Sequence, residues 1–92
     1  MAAPNEPVLA TMRAALERAF APRTLEIEDD GARHAGHAAA GRGHYKLVLV
    51  AEAFRGRSQL ERHRMVYAAL APLLESSVHA LNISARTPDE ND

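Results

Sequence analysis

The sequence predicts a small α+β domain, ordered α-β-β-α-β, with helices covering one face of a three-stranded mixed sheet. Three observations lead there. Two stretches repeat apolar residues at the three-and-four spacing of a helix. Three others alternate, or run apolar, over the length of a strand. A helix separates the second strand from the third, so those two are expected to be parallel through a right-handed crossover. The first two, joined by a loop, can pair antiparallel. The 92 residues make one domain, with residues 1–5 and 88–92 read as flexible tails.

Residues 6–20 form the first helix. Asn5 can cap it, Pro7 is tolerated in a first turn, and Pro22 ends it. Val8, Leu9, Met12, Leu16, Ala19 and Phe20 make its apolar stripe. TLEIED, residues 24–29, alternates Leu25 and Ile27 with glutamates and reads as a half-buried strand. Residues 30–43 are rich in Gly and Ala and are longer than a hairpin turn; loops of this length in small domains are often functional or disordered. HYKLVLVAE, residues 44–52, places Tyr45, Leu47 and Leu49 on one face and Lys46, Val48 and Val50 on the other. With apolar residues on both faces, it belongs at the centre of the sheet. Ser58 and Glu61 match a capping box, which opens a helix from about Gln59 to Glu75. Its core stripe is read as Leu60, Val66, Tyr67, Leu70, Leu73 and Leu74, and Pro72 is expected to kink or split it. HALNISAR, residues 79–86, is the last strand, with Leu81, Ile83 and Ala85 inward.

The composition excludes several functions. There is no apolar run near the ~20 residues of a membrane helix. MAAPNEP lacks the basic-then-apolar pattern of a signal peptide, so a cytoplasmic protein is expected. With zero cysteines the chain cannot offer a thiolate to a metal. No nucleophile, base and orienter set and no Gly-rich phosphate loop is present, so no enzyme is expected. The formal charge is −1, but FRGRSQLERHR gathers Arg55, Arg57, Arg62 and Arg64, while TPDEND is acidic and reads as a solvated tail.

The topology locates the histidines. The loop carrying His34 and His37 ends at His44, where the second strand starts. The third strand, parallel to it, starts at His79. All four are therefore expected at one end of the sheet, with neighbouring strands ~4.8 Å apart. His63 belongs near the other end, packed at the core edge. His44 is read as structural, bonding a neighbouring backbone carbonyl. Spacing alone leaves the loop histidines as ligands or as solvated residues.

FRGRSQLERHRMVYAAL resembles the signature of the BolA family, F-x-G-x-S followed by R-H-R-x-V-Y, and SSVHALNISARTP resembles that family's closing segment. LEIEDDGARHAGH and GHYKLVLVAEAF are similar to its first strand, variable loop and second strand, so the likeness covers residues 8–88. The resemblance implies a class II KH-like fold and two roles. In the first, a chain that is a monomer when alone joins a monothiol glutaredoxin across a bridging [2Fe-2S] cluster. His79 and a loop histidine, best matched by His34 with His37 as substitute, supply nitrogen; glutaredoxin and glutathione supply sulfur. The absence of cysteine agrees with this division, since two imidazoles can replace two thiolates on one iron. Imidazole must be deprotonated to ligate, so cluster transfer is expected to weaken as pH falls through about 6 to 7. In the second role, the chain binds DNA as a transcriptional regulator through Arg55, Arg57, Arg62 and Arg64. That role ranks second, because the charge is near zero and no G-x-x-G loop joins two helices. The chain departs from the family pattern in its second loop histidine, in H-A-G-H, and in Pro72 within the signature helix.

Overall fold

The computed structural model describes residues 6–29, 44–74, 78 and 80–91. Helix α1 spans Glu6–Phe20, strand β1 Thr24–Asp29, strand β2 His44–Val50, helix α2 Gln59–Ala69, the short helix α3 Ala71–Leu74 and strand β3 Ala80–Arg86. One 3-10 turn follows β2 at Glu52–Phe54, and another follows β3 at Asp89–Asn91. The sheet order is β1-β2-β3, with β1 antiparallel and β3 parallel to the central β2. This is the α+β order and mixed sheet expected from the sequence.

The register sorts the side chains by face. Leu25 pairs with Leu49 and Ile27 with Leu47, while across the sheet Leu47 meets Ile83 and Leu49 meets Ala85. These residues line the core beneath Met12, Leu16 and Phe20 of α1 and Val66 of α2, with Leu70 just beyond α2. The Phe20 and Phe54 rings meet at 5.0 Å and 39°. On the opposite face Glu26, Glu28, Lys46, Asn82 and Arg86 are exposed. A strand alternates faces every residue, so each hydrophobic residue chosen by period two lands inside.

Helix α1 ends by a left-handed cap. The Ala21 N–H donates to the Glu17 carbonyl at 2.9 Å, and Ala21 takes φ 45°, a conformation costly for any residue with a Cβ. Ala19, expected in the α1 stripe, is instead exposed, because the core face runs Met12–Leu16–Phe20 at strict fourth-residue spacing.

The α2 region agrees with expectation at its cap and at Pro72 and departs from it in the face it buries. The capping box forms: Glu61 N donates to Ser58 Oγ at 3.1 Å, and Ser58 N donates to Glu61 Oε1 at 2.8 Å. Pro72 splits the expected 59–75 helix. The break falls at Leu70 (φ −103°, ψ 9°), and α3 restarts with Leu73 and Leu74 N–H groups donating to the Leu70 carbonyl. A proline inside one continuous helix would clash with the Ala68 carbonyl; as the second residue of a new helix it does not. Leu60 and Tyr67, expected in the core, are 60% and 41% exposed. The buried positions are Arg62, Val66 and Leu70, so the helix is rotated relative to the apolar pattern and turns an arginine inward.

The acidic end is not a free tail. Residues 88–91, read from the sequence as part of a flexible segment, form a turn and the 3-10 helix Asp89–Asn91. Thr87 is buried, and its N–H donates to Glu90 Oε1 at 3.0 Å. The expected tail at 1–5 lies outside the described residues.

Candidate functional site

The sheet has two chemically different ends. At the first, β2 and β3 both begin, and His44 pairs with Ala80. His44 is half-buried and Tyr45 is 2% exposed. Tyr45 lies between Asp29 and Leu81 in register. Burial, and secondarily the Asp29 charge, raise its phenol above the usual range. Its hydroxyl has no hydrogen-bond partner among the described residues. His34, His37 and His79 lie outside the described residues. Among the described residues no group of three or more His, Cys, Asp or Glu side chains could hold a metal ion.

The second end, where β2 and β3 finish and α2 begins, carries the arginines. Arg62 is the best-connected side chain there, with only 5% of its side chain exposed. Its Nε donates to the Arg57 carbonyl at 2.9 Å and its Nη1 to the Ala85 carbonyl at 3.0 Å. The guanidinium also grips Glu90 in a fork, Nη1 to Oε1 at 2.6 Å and Nη2 to Oε2 at 3.1 Å. A charged donor held this way satisfies the buried group and fixes its geometry. Arg62 and the Thr87 N–H hold the Glu90 carboxyl down at about 2.

Arg55 makes a second, exposed pairing. It meets Glu52 through Nε at 2.7 Å and Nη2 at 2.9 Å, and Asp89 through Nη2 at 2.7 Å. Arg55, with the Thr87 hydroxyl, lowers the Asp89 carboxyl to about 2. Arg57 lies 3.8 Å from Glu61. Arg64 is exposed and forms no ion pair among the described residues. Two residues along a helix amount to about 200° of rotation, so Arg64 faces away from Arg62. The four arginines grouped by sequence are therefore two satisfied internally and two directed outward. His63 is half-buried on the same helix.

Sequence reasoning missed the acidic partners Asp89 and Glu90 and the burial of Arg62. One signal was available. Arg62, Val66 and Leu70 share fourth-residue spacing, and an acidic segment follows the last strand.

Among the described residues no helix is long and apolar enough to cross a membrane. The family described as BolA-like protein matches residues 16–90. The BolA domain of SufE1 from Arabidopsis thaliana superimposes with a TM-score of 0.82 at 41% identity, covering 96% of this chain and 99% of that one. BolA-like protein 1 of Homo sapiens is 44% identical over 82 residues, 89% of this chain and 59% of its own length. The DNA-binding transcriptional regulator BolA of Escherichia coli (strain K12) is 43% identical over 75 residues, 82% of this chain and 70% of its length. The chain thus spans little more than half of the human relative. It also spans 23% of the Arabidopsis SufE-like protein 1, to which it is 43% identical over 86 residues. Element order, sheet register and a match over most of the sequence agree, and the chain belongs to the BolA family.

Proposed function

We propose that this protein partners a monothiol glutaredoxin and shares a bridging [2Fe-2S] cluster with it as cargo, in iron–sulfur trafficking or iron sensing. The observation that carries the reading is the parallel register of β2 and β3. His44, at which residues 30–43 rejoin the sheet, pairs with Ala80, the residue that follows His79 in sequence. Two chain segments that each bring a histidine thus attach to one end of the sheet. In this reading His79 and His34, with His37 as the alternative, present neutral imidazole nitrogens. The chain contains no cysteine, so the sulfur ligands come from the partner and its glutathione. The role is non-enzymatic: the chain holds and hands over the cluster.

The test mixes the protein with cluster-loaded glutaredoxin and follows visible absorption and circular dichroism. Wild type is expected to change the spectrum, and His79→Ala to abolish the change. His34→Ala and His37→Ala, singly and together, identify the loop ligand. Wild-type spectra from His79→Ala and from the double loop variant would refute the ligand assignment.

The Escherichia coli relative supports a second reading, transcription regulation through DNA contacts. The outward-facing Arg57 and Arg64 carry it here. Their joint replacement by alanine is expected to flatten the salt dependence of duplex binding by up to about 1.8 log units per log unit of salt. An unchanged slope removes those residues from the contact.

A further inference from the structure

The second end of the sheet holds a feature that neither reading uses. Arg62 is a buried cation, and an anion supplied by the last turn of the chain fills its donor fork. The neighbouring Arg55 receives its second carboxylate from the same turn. Guanidinium forks bind carboxylate and phosphate with the same geometry. Glu90 on Arg62 and Asp89 on Arg55 are thus adjacent oxyanion ligands that belong to the chain itself.

We infer that the Arg62–Arg55 pair is an oxyanion site for nucleic-acid phosphate, occupied in this conformation by Glu90 and Asp89 as internal competitors. The inference rests on the DNA reading and adds a gate to it. Four features support it. The site is built: the Arg57 carbonyl holds Arg62 Nε and the Ala85 carbonyl holds Nη1, which also donates to Glu90, so two backbone contacts keep the guanidinium in place when the turn leaves. The occupant is accessible: Glu90 is 44% and Asp89 65% exposed in side chain, so both can exchange protein contacts for water. The attachment is local: among the described residues a single 3-10 turn carries both carboxylates, held by Arg62, Arg55 and Thr87. The location fits: the outward-facing Arg57 is continuous with the site, since its own carbonyl receives the Arg62 Nε. Opening the turn would therefore add the Arg62 fork, and the Arg55 donor now shared with Asp89, to the cationic surface that Arg57 already offers, while Arg55 keeps its pairing with Glu52.

Glu52 and Glu61 offset part of the charge of the four arginines, and the mask adds Asp89 and Glu90. It makes DNA affinity a property of the turn's position. Anything that draws the turn away, such as a partner binding residues 87–91, would raise affinity without adding a contact of its own.

The experiment titrates a fluorescein-labelled 20-base-pair duplex with four proteins at several salt concentrations, following anisotropy. These are wild type, Asp89→Ala/Glu90→Ala, the charge-matched control Glu17→Gln/Glu26→Gln, and the unmasked protein carrying Arg62→Met as well. Both control glutamates are exposed and lie away from the turn. The unmasked protein gains one to two phosphate contacts, so its salt slope is expected to steepen by about 0.9–1.8. Its affinity at 50 mM salt is expected to rise about tenfold, against no more than about threefold for the control. Adding Arg62→Met is expected to cancel the gain. Glu90→Gln, which keeps the shape of the turn, is expected to give part of the gain and guards against a misfolded double variant. Equal gains in the control and unmasked proteins, or an unchanged slope, overturn the mask. If Arg57→Ala/Arg64→Ala weakens binding but unmasking does not strengthen it, the mask fails and the DNA reading stands. No binding by any variant defeats both.

Discussion

Replacing Arg62 with methionine removes the guanidinium and keeps an unbranched stem of similar reach. The wild-type group makes four hydrogen bonds, to the Arg57 and Ala85 carbonyls and to both oxygens of Glu90. Their losses are unequal. The Glu90 carboxylate is 44% exposed and Arg57 is exposed, so both recover water. Ala85 is 1% exposed, and its orphaned carbonyl costs about 1–3 kcal/mol. The lost charged donor adds to this, while the end of the guanidinium's own burial penalty subtracts. A net loss of about 2–3 kcal/mol follows. In a domain of this size that lowers Tm by on the order of 10–20 °C.

Acid behaviour gives an independent readout of the same contact. Arg62 and the Thr87 N–H hold the folded Glu90 at about 2, below its usual 4.5. A depressed carboxylate stabilises the fold above its unfolded value, and that contribution disappears as pH falls from 4.5 toward 2. Without Arg62 the window flattens. Urea unfolding followed by far-UV circular dichroism at pH 7 and pH 3 measures both effects. A variant within about 0.5 kcal/mol of wild type, with unchanged acid sensitivity, would show that the clamp contributes nothing.

Two glycine exchanges test the turns in opposite directions. Ala21 sits at φ 45°, so Ala21→Gly is expected to stabilise by about 0.5–1 kcal/mol after the added unfolded-chain entropy is subtracted. Gly56 sits at φ 80°, and a Cβ there would meet nothing within 4 Å, so Gly56→Ala is expected to lose about 1–2 kcal/mol from the backbone alone. Both are read by urea midpoint, and a sign reversal in either would contradict the left-handed geometry. Pro72→Ala returns an N–H and removes the ring, and slowed hydrogen exchange at amides 70–73 is expected as α2 and α3 join. Exchange unchanged from wild type would mean that Leu70, not the proline, sets the break.

What the sequence reveals follows the range of the interaction behind each feature. The residues of α1 and β1 are bounded by local chemistry, with Pro22 after the helix and alternation in TLEIED, and both segments match their expected limits. The central place of β2 follows from its two apolar faces. The face of α2 escapes the sequence because apolar periodicity assigns Leu60 and Tyr67 to the core and cannot count a charged residue there. Arg62 is buried because a carboxylate 28 residues later in sequence neutralises it. The same long-range pair holds residues 87–91, within the apparent solvated tail, in a turn. The four arginines differ in exposure for a related reason: proximity in sequence does not say which way a helix turns each side chain. For the histidines, topology alone yielded the convergence of strand starts, and the His44–Ala80 pairing is the described part of that expectation. His34, His37 and His79 themselves lie outside the described residues.

The two ends of the sheet can be separated experimentally, because β3 is anchored from the end opposite its start. The Ala51 N–H donates to the Arg86 carbonyl at 2.8 Å, Arg62 holds the Ala85 carbonyl, and Thr87 joins the Glu90 turn. The ladder with β2 then carries this anchoring back to Ala80. A strand paired along its whole length has its register set many times over. Losing Arg62 should therefore lower the stability of the fold without shifting Ala80 against His44. At 10 °C, once far-UV circular dichroism shows it folded, Arg62→Met is expected to accept cluster from glutaredoxin with the wild-type spectrum. His79→Ala is expected to do the reverse, keeping wild-type stability and losing the spectrum. If folded Arg62→Met also loses the cluster signal, the clamp reaches the far end of β3, and the division between an anchored end and a ligating end is wrong.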